Sequence, residues 1–453
     1  MRIHLIAIGG AAMHNLAIAL KQNGHEVTGS DDQIFDPSKG RLEKHGLLPD
    51  QMGWFPERIH EEIDAVILGM HARPDNPELA RAQELDLLVY SYPSFIHEQS
   101  VQKERVVIGG SHGKTTITSM ILHVLKYHNR SFDYLVGAQI EGFDTMVQLS
   151  DAPLIVLEGD EYLSSPIDRR PKFHLYDPHI ALLSGIAWDH INVFPTFENY
   201  LEQFEVFIDQ MMDDAKLIYC AADEQLEETV MEFGPHLDRV AYRTPAYTIK
   251  EGKIFIERSN GTLSEVSVFG DHNLQNLMGA QAVCEALGID EDAFFKAIAS
   301  FKGAARRLEE VGRNANTVVY KDFAHSPSKL KATTEAVKKQ WPARRLVACM
   351  ELHTFSSLTK AFLLEYAGTM ASADVAVVFF KEETVAQKHL DPITTDQIKQ
   401  SFDRDDLIVF TDSAALEAFL MEQEWGSSNL LMMSSGNFGG IKVEELAERL
   451  LNP

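Results

Sequence analysis

Short apolar segments alternate with amphipathic segments in three successive series, and this alternation restricts the possible folds more than any other feature of the chain. The apolar runs lie at residues 3–8, 26–28 and 66–68, then 105–108, 154–157 and 180–184, then 318–320, 346–350, 375–380, 407–410 and 430–433. The helical patterns between them extend to about residue 23 and over 114–127 and 197–211. Strands that alternate with helices are typical of parallel sheets. The chain is therefore predicted to be α/β, with three domains at residues 1–100, 101–305 and 306–453.

One segment breaks this alternation. Residues 247–269 alternate apolar and polar side chains around Gly252 and the pair Asn260-Gly261, which predicts a small antiparallel insert. Helical patterns return at residues 273–287 and 292–301.

The composition is that of a globular protein with sizeable cores, since 45% of the 453 residues are hydrophobic and 24% are charged. The net charge of −26 would repel a phosphate backbone or an anionic membrane surface, so neither nucleic acid nor membrane is an expected partner. No stretch is long and apolar enough for a membrane span, and His14 and Asn15 interrupt the only run that resembles a signal peptide. The three cysteines lie far apart, which favours a reducing, cytoplasmic location.

The strongest local signal is the segment VVIGGSHGKTT, residues 106–116, in which a buried strand enters a glycine loop and then a helix. Backbone N–H groups of such a loop face phosphates, a lysine reaches the outer phosphates, and the next hydroxyl ligates Mg²⁺. The strict phosphate-loop pattern needs glycine at position 108, where this chain has Ile108, so the loop is a shortened relative. The candidate nucleotide ligands are Gly110, Ser111, His112, Gly113, Lys114, Thr115 and Thr116.

A second glycine turn, AIGGAA at residues 7–12, follows the first predicted strand. It contains Gly9 and Gly10, and Asp31 follows the next strand at the spacing where a carboxylate meets a ribose hydroxyl. A nucleotide site and an ordinary tight turn remain equally good interpretations of this segment.

Polar side chains also follow two strands of the second series. Glu158, Asp160 and Glu161 come directly after one strand, and His190 comes after the next. Ligands gather at the carboxyl ends of parallel strands, and carboxylates there suit a hard cation. Solvated turn residues are the alternative for each of them.

These motifs occur in the order found in the Mur ligase family of peptidoglycan enzymes, which the chain resembles over nearly its whole length. The resemblance rests on GGSHGKTT, EGDEY, Asp189-His190, GDHNLQN, the arginine pair Arg306-Arg307 and DFAHSP. It implies an ATP-dependent ligase with a Rossmann-like N-terminal domain, a central phosphate-loop domain and a Rossmann-like C-terminal domain. Ala7 and Ser326 depart from the family pattern, which more often has glycine and histidine there.

The same resemblance implies roles for individual residues. Lys114, His190 and Arg307 resemble catalytic residues, and Thr115, Glu158 and His190 resemble metal ligands. Residues resembling the remaining nucleotide contacts are His272, Asn273, Asn276, Asp322 and His325.

The N-terminal AIGGAAM and GSDD segments resemble the branch that acts on UDP-N-acetylmuramate, so Gly9, Gly10 and Asp31 are expected to contact the UDP-sugar. The stretch DRRPKF, residues 168–173, and SSGNFGGI, residues 434–441, resemble members that attach the tripeptide L-alanyl-γ-D-glutamyl-meso-diaminopimelate. Arg170 and Lys172 are the candidate ligands of that peptide's carboxylates. The expected cofactors are ATP and Mg²⁺, and L-alanine is the alternative acceptor.

Other functions fit less of the chain. A NAD-linked oxidoreductase would need a hydride-transfer site and would leave the Lys114 loop without a role. A phosphate-loop ATPase that makes no bond would hydrolyse ATP whether or not UDP-sugars are present. The folate polyglutamate ligases resemble the central and C-terminal domains but lack a counterpart of residues 1–100.

Overall fold

A computed structural model of the protein describes residues 1–140, 142–188, 193–250, 252–303 and 308–452. Its strands form three mainly parallel sheets and one small antiparallel sheet. The predicted α/β class and the antiparallel insert are both confirmed. The expected domain boundary near residue 306 falls outside the described residues, and the division into three domains at the chosen residues stays a prediction.

The first sheet has four strands in the order β2-β1-β3-β4, all parallel. Its strands and helices are β1 Arg2–Ile6, α1 Ala11–Gln22, β2 Glu26–Ser30, α2 Ser38–Lys44, β3 Ala65–Leu68, α3 Pro77–Glu84, β4 Val89–Ser91 and α4 Tyr92–Glu98. The apolar run predicted at residues 3–8 ends as a strand at Ile6, because Ala7 takes a left-handed conformation with φ +65° and turns the chain.

The second sheet has seven strands in the order β11-β10-β9-β5-β8-β6-β7, and only the edge pair β6-β7 is antiparallel among the described strands. The elements are β5 Glu104–Gly109, α5 Lys114–Tyr127, β6 Asp133–Leu135, β7 Val147–Gln148, β8 Leu154–Glu158, β9 Ile180–Leu183, α6 Phe197–Asp209, β10 Lys216–Cys220, α7 Glu224–Phe233 and β11 Asp238–Tyr242. Strand β5 lies between β8 and β9, where the strand order changes direction. The crevice at the carboxyl ends of such strands is where open α/β sheets bind ligands.

The small sheet consists of β12 Tyr247–Lys250, β13 Lys253–Glu257 and β14 Leu263–Val266. Two helices follow it, α8 Asp271–Ala286 and α9 Glu291–Ile298.

The last sheet has six strands in the order β15-β16-β20-β17-β18-β19. Its strands are β15 Glu309–Arg313, β16 Val318–Asp322, β17 Arg345–Glu351, β18 Val375–Phe379, β19 Ile408–Phe410 and β20 Ser428–Met433. Its helices are α10 Pro327–Gln340, α11 Lys360–Leu363, α12 Glu382–Gln387, α13 Thr395–Ser401, α14 Ser413–Met421 and α15 Val443–Leu451. Two buried clusters cover its two faces, so its central strands are apolar on both sides.

The described residues divide into two compact units. The first contains Met1–Trp188, Val193–Arg243 and Leu277–Ala297, and therefore the first two sheets. The second contains the described parts of Thr244–Asn276 and Ile298–Pro453. In the part of the chain that the structure describes, every helix is too short or too polar to cross a bilayer.

Candidate active site

The glycine loop follows the central strand β5 and leads directly into α5. Gly110 has φ +111° and Gly113 has φ +76°, conformations that other residues rarely adopt. A Cβ atom on Gly110 would also lie 2.7 Å from the backbone nitrogen of Ser184. Because α5 is a helix of 14 residues, its N-terminus offers N–H groups and a partial positive charge to an anion at this edge of the sheet. The loop thus has the geometry that the sequence predicted.

Lys114, the first residue of α5, points its ammonium group back into the loop. Its Nζ donates a hydrogen bond to the carbonyl of Gly110 at 2.7 Å and forms an ion pair with Glu161. Burial would lower the pKa of Lys114, but the carboxylates of Glu161, Asp160 and Glu158 outweigh it and raise the pKa above its ordinary value. The lysine is therefore held as a cation.

Thr115 and Glu158 lie together, as expected for ligands of one cation. The Thr115 hydroxyl donates to Oε1 of Glu158 at 2.7 Å, and the Gly137 N–H donates to Oε2 at 2.7 Å. Burial raises the pKa of Glu158, although these two hydrogen bonds act in the opposite direction. No group of three histidine, cysteine or acidic side chains that could hold a metal occurs among the described residues. Mg²⁺ commonly takes only one or two carboxylates together with phosphate oxygens, so this oxygen pair fits Mg²⁺.

The two candidate peptide ligands lie on a loop that folds back on the EGDEY segment. Lys172 Nζ pairs with Asp160 at 2.6 Å, and the Lys172 N–H donates to the carbonyl of Tyr162 at 2.9 Å. The Arg170 guanidinium makes a bidentate pair with Asp168, with its closest contact at 2.7 Å, and is 64% exposed. This pair raises the pKa of Arg170 and lowers that of Asp168. Both cations already have a carboxylate partner, which the sequence did not indicate.

The candidate UDP-sugar residues lie at the carboxyl end of the first sheet. The Gly9 N–H donates to Oδ2 of Asp31 at 2.7 Å, and a Cβ atom on Gly9 would lie 2.8 Å from the side chain of Ile34. Gly10 precedes α1, and its carbonyl accepts a hydrogen bond from the buried ring of His14 at 2.9 Å. Burial raises the pKa of Asp31. The structure therefore brings Asp31 into contact with the glycine turn at Gly9, and the expected contact of Asp31 with a ribose stays a prediction.

In the second unit, His272, Asn273 and Asn276 lie in the first turns of α8. Asn273 Nδ2 donates to the carbonyl of Phe269 at 3.0 Å, and its N–H donates to that of Gly270 at 3.0 Å. Burial lowers the pKa of His272 to about 4, so its imidazole is neutral at pH 7. A neutral ring suits contact with an uncharged heterocycle.

Asp322 and His325 lie at the carboxyl end of β16. The Asp322 carboxylate accepts from the N–H of Leu308 and of Ala324, each at 2.6 Å. His325 Nδ1 bonds the carbonyl of Phe323 at 2.8 Å, and Tyr366 donates to the carbonyl of His325 at 2.5 Å. Asp322 thus fixes the residue that follows Arg307, whereas His190 and Arg307 themselves lie outside the described residues.

Two buried carboxylates make contacts that the sequence did not indicate. Glu161 was noted only as one of three acidic residues, but it is the partner of Lys114 and also bonds Tyr200. Glu351, at the end of β17, accepts hydrogen bonds from the hydroxyl of Ser434 and from the N–H of Phe438 at 2.8 Å. It thereby shapes the SSGNFGG loop. Glu351 directly follows the apolar run at residues 346–350, and this position was the sequence feature that could have identified it.

Comparison with known proteins gives matches over most of the chain. Three family models match the chain: the Mur ligase family catalytic domain over residues 2–103, the Mur ligase middle domain over 108–284, and the Mur ligase glutamate ligase domain over 306–435. A UDP-N-acetylmuramate–L-alanyl-γ-D-glutamyl-meso-2,6-diaminoheptandioate ligase of Haemophilus influenzae is 28% identical over 97% of this chain and 97% of its own length. A UDP-N-acetylmuramate–L-alanine ligase of Roseiflexus is 30% identical over 83% of this chain and 84% of its own length.

A solved structure supports the fold. The murein peptide ligase of Psychrobacter arcticus, 23% identical, superposes with a TM-score of 0.66 and covers 100% of this chain and 99% of its own. The resemblance inferred from the motifs is confirmed, and so is the three-domain α/β architecture. On the evidence of these matches and of its phosphate loop, the chain belongs to the Mur ligase family of ATP-dependent ligases.

Proposed function

We propose that this protein joins the tripeptide L-alanyl-γ-D-glutamyl-meso-diaminopimelate to UDP-N-acetylmuramate at the expense of ATP. The observation that carries the proposal is the match of 97% of the chain to 97% of a tripeptide ligase. The DRRPKF stretch, in which Lys172 pairs with Asp160 of the EGDEY segment and Arg170 pairs with Asp168, is consistent with it.

The proposed reaction has two steps. The lactyl carboxylate of the muramic acid attacks the γ-phosphorus of ATP, so that ADP leaves and an acyl phosphate forms. The amine of the tripeptide then attacks the acyl carbon, inorganic phosphate leaves, and the nitrogen loses a proton to give the amide. Such phosphoryl transfer depends mainly on positioning and on electrostatic stabilisation.

The glycine loop and Lys114 supply that stabilisation in our proposal. The loop residues 110–116 hold the phosphates, and the Lys114 ammonium offsets the charge that develops on the transferring group. Thr115 and Glu158 would hold Mg²⁺, which when bound neutralises phosphate charge. His190 is assigned to a second metal position and Arg307 to the γ-phosphate, as their motifs imply.

The other assignments complete the proposal. His272, Asn273 and Asn276 contact the adenine, while Asp322 and His325 contact the nucleotide from the C-terminal domain. Gly9, Gly10 and Asp31 contact the UDP-sugar. We keep the domains at residues 1–100, 101–305 and 306–453, and we place the enzyme in the cytoplasm, where its three buried free cysteines would remain reduced.

The L-alanine ligase is the second candidate function. The slightly higher identity of the Roseiflexus enzyme, 30% against 28%, favours it. It leaves the DRRPKF stretch without a ligand.

We expect that changing Arg170 or Lys172 to alanine raises the KM for the tripeptide by about tenfold, since a hydrogen bond to a charged group contributes about 1.5–3 kcal/mol. The KM values for ATP and UDP-N-acetylmuramate should change little, because a peptide carboxylate would replace Asp168 or Asp160 at these cations. Steady-state kinetics with each substrate varied in turn measures this. Arg169→Ala, at the adjacent exposed arginine, is the matched control. An equal loss for all three substrates would show that the two cations only maintain the loop.

Phosphate release tests the proposed function itself. The purified protein with ATP and Mg²⁺ should release phosphate at a substantial rate only when both UDP-N-acetylmuramate and an amine acceptor are present. Release that ignores the UDP-sugar would identify an ATPase and contradict the proposal.

A further inference from the structure

A buried hydrogen-bond chain connects α6 to the lysine of the phosphate loop. Tyr200 lies in the first turns of α6, and its hydroxyl donates to Oε1 of Glu161 at 3.0 Å. The same hydroxyl lies 2.8 Å from Oγ of Ser111, which in turn accepts the N–H of Ala187 at 2.8 Å. Since each hydroxyl has a single proton, the donors run in one direction, from Ala187 through Ser111 and Tyr200 to Glu161.

The surrounding side chains hold this series of hydrogen bonds in place. The Tyr200 side chain is fully buried, and its ring makes edge contacts with Phe194 and Phe204 at centroid distances of 5.5 and 5.3 Å. Glu161 is 1% exposed, and its second oxygen, Oε2, pairs with Lys114. The Glu161 carboxylate therefore accepts the Tyr200 hydroxyl at Oε1 and pairs with Lys114 through Oε2.

This arrangement has a consequence for nucleotide binding. A lysine that neutralises Glu161 is not free to neutralise a phosphate, so Glu161 competes with the nucleotide for Lys114. When Lys114 turns to a phosphate, a buried carboxylate loses its counter-ion, which is costly unless other donors stabilise the charge. The Tyr200 hydroxyl, backed by Ser111, is such a donor.

We propose that Glu161 competes with nucleotide phosphates for Lys114 and that Tyr200 is a positioning residue that allows Glu161 to release the lysine. The inference rests on the proposed nucleotide site and gives specific roles to Glu161, which the EGDEY motif contains, and to Tyr200, which none of the motifs contains. It concerns ADP and ATP binding, and it holds whichever acceptor the enzyme uses.

The two residues should act on nucleotide affinity in opposite directions. Glu161→Gln keeps an oxygen for Tyr200 but removes the charge that competes for Lys114, so ADP should bind about tenfold more tightly. Tyr200→Phe removes the donor, so Glu161 retains the lysine more strongly and ADP should bind about tenfold more weakly. The double variant should resemble Glu161→Gln, because Tyr200 acts through Glu161.

Isothermal titration of the full-length protein with ADP at fixed Mg²⁺, without UDP-sugar or peptide, measures these affinities. Tyr134→Phe is the matched control: Tyr134 is 2% exposed, its hydroxyl donates to the carbonyl of Thr145 at 3.1 Å, and its loss should leave the ADP affinity unchanged. Weaker binding by Glu161→Gln, or equal affinities in all variants, would overturn the inference while leaving the proposed function standing. Absence of ADP binding by the wild-type protein would overturn both. If Tyr200→Phe does not fold, the sign of the Glu161→Gln effect decides alone.

Discussion

Lys114→Ala should fold and should lose ligation activity by a factor of at least about 10², the magnitude typical of removing one preorganised electrostatic contact to a transition state. The physical reason is that Lys114 is a charged, 14% exposed side chain in the first turn of α5, and its Nζ lies 2.7 Å from the Gly110 carbonyl of the phosphate loop. Amide formation from saturating ATP, UDP-N-acetylmuramate and tripeptide measures the loss.

A control separates chemistry from stability. Removing Lys114 leaves Glu161 buried without its cation, so the single variant should also melt at a lower temperature. Adding Glu161→Gln should restore the melting temperature without restoring ligation. Lys103 is a second lysine that is only 10% exposed; it pairs with Asp133 at 2.9 Å and lies outside the loop. Lys103→Ala should therefore lower the melting temperature without changing the ligation activity. Wild-type turnover by Lys114→Ala would remove the phosphate loop from the mechanism.

His4→Leu should lower the free energy of unfolding by about 3–5 kcal/mol, as expected when a buried carboxylate loses the side chain that it bonds. His4 Nε2 lies 3.3 Å from Oε2 of Glu78, and both side chains are fully buried. The ring also contacts the Thr28 hydroxyl at 2.8 Å, and the second oxygen of Glu78 accepts the N–H of Phe55 at 2.7 Å. Denaturant unfolding monitored by circular dichroism measures the change.

The pH dependence of this loss gives an independent check. Burial would raise the pKa of Glu78, but the hydrogen bonds from His4 and the Phe55 N–H outweigh it and lower the pKa. In the wild-type protein the contribution of Glu78 is therefore complete above the ordinary carboxyl pKa and is lost as the pH falls through the lowered value. Without His4 the pKa of Glu78 should rise. The loss of unfolding free energy caused by His4→Leu should therefore be smaller at pH 5 than at pH 7.

Two further variants define the origin of the effect. Adding Glu78→Gln should recover part of the loss, since an uncharged amide still accepts the Phe55 N–H. His60→Leu, at an exposed histidine of the same sheet region, should change stability by less than about 0.5 kcal/mol. Equal losses for His4→Leu and His60→Leu would contradict the account of the buried pair.

The features that the sequence predicted depend on local patterns. The central strands of the three larger sheets are buried along their length, so they are continuous apolar runs that are visible without the fold. The glycine loop is also visible in the sequence. The positive φ angles at Gly110 and Gly113 favour glycine, and the two glycines lie close together in the chain. The βαβ spacing placed Asp31 at the end of the second strand, near the glycine turn that it contacts through the Gly9 N–H.

The sequence missed the contacts of Tyr200 with Glu161 and Ser111 because these residues are far apart in the chain. Tyr200 lies 39 positions after Glu161 and 89 after Ser111, and in sequence it is one more apolar residue on the buried face of an amphipathic helix. The short strands β6 and β7 carry too few residues for a period to emerge. The pairing of Arg170 with Asp168 was overlooked because the motif directed attention to an external carboxylate.

The central claim is that the acceptor is a tripeptide, and a competition experiment tests it most directly. The enzyme is incubated with ATP, Mg²⁺, UDP-N-acetylmuramate and equal concentrations of L-alanine and L-alanyl-γ-D-glutamyl-meso-diaminopimelate, and the UDP-linked products are identified by mass. The account predicts the UDP-N-acetylmuramoyl tripeptide as the dominant product, and this product should decrease in Arg170→Ala. A dominant UDP-N-acetylmuramoyl-L-alanine product would contradict it.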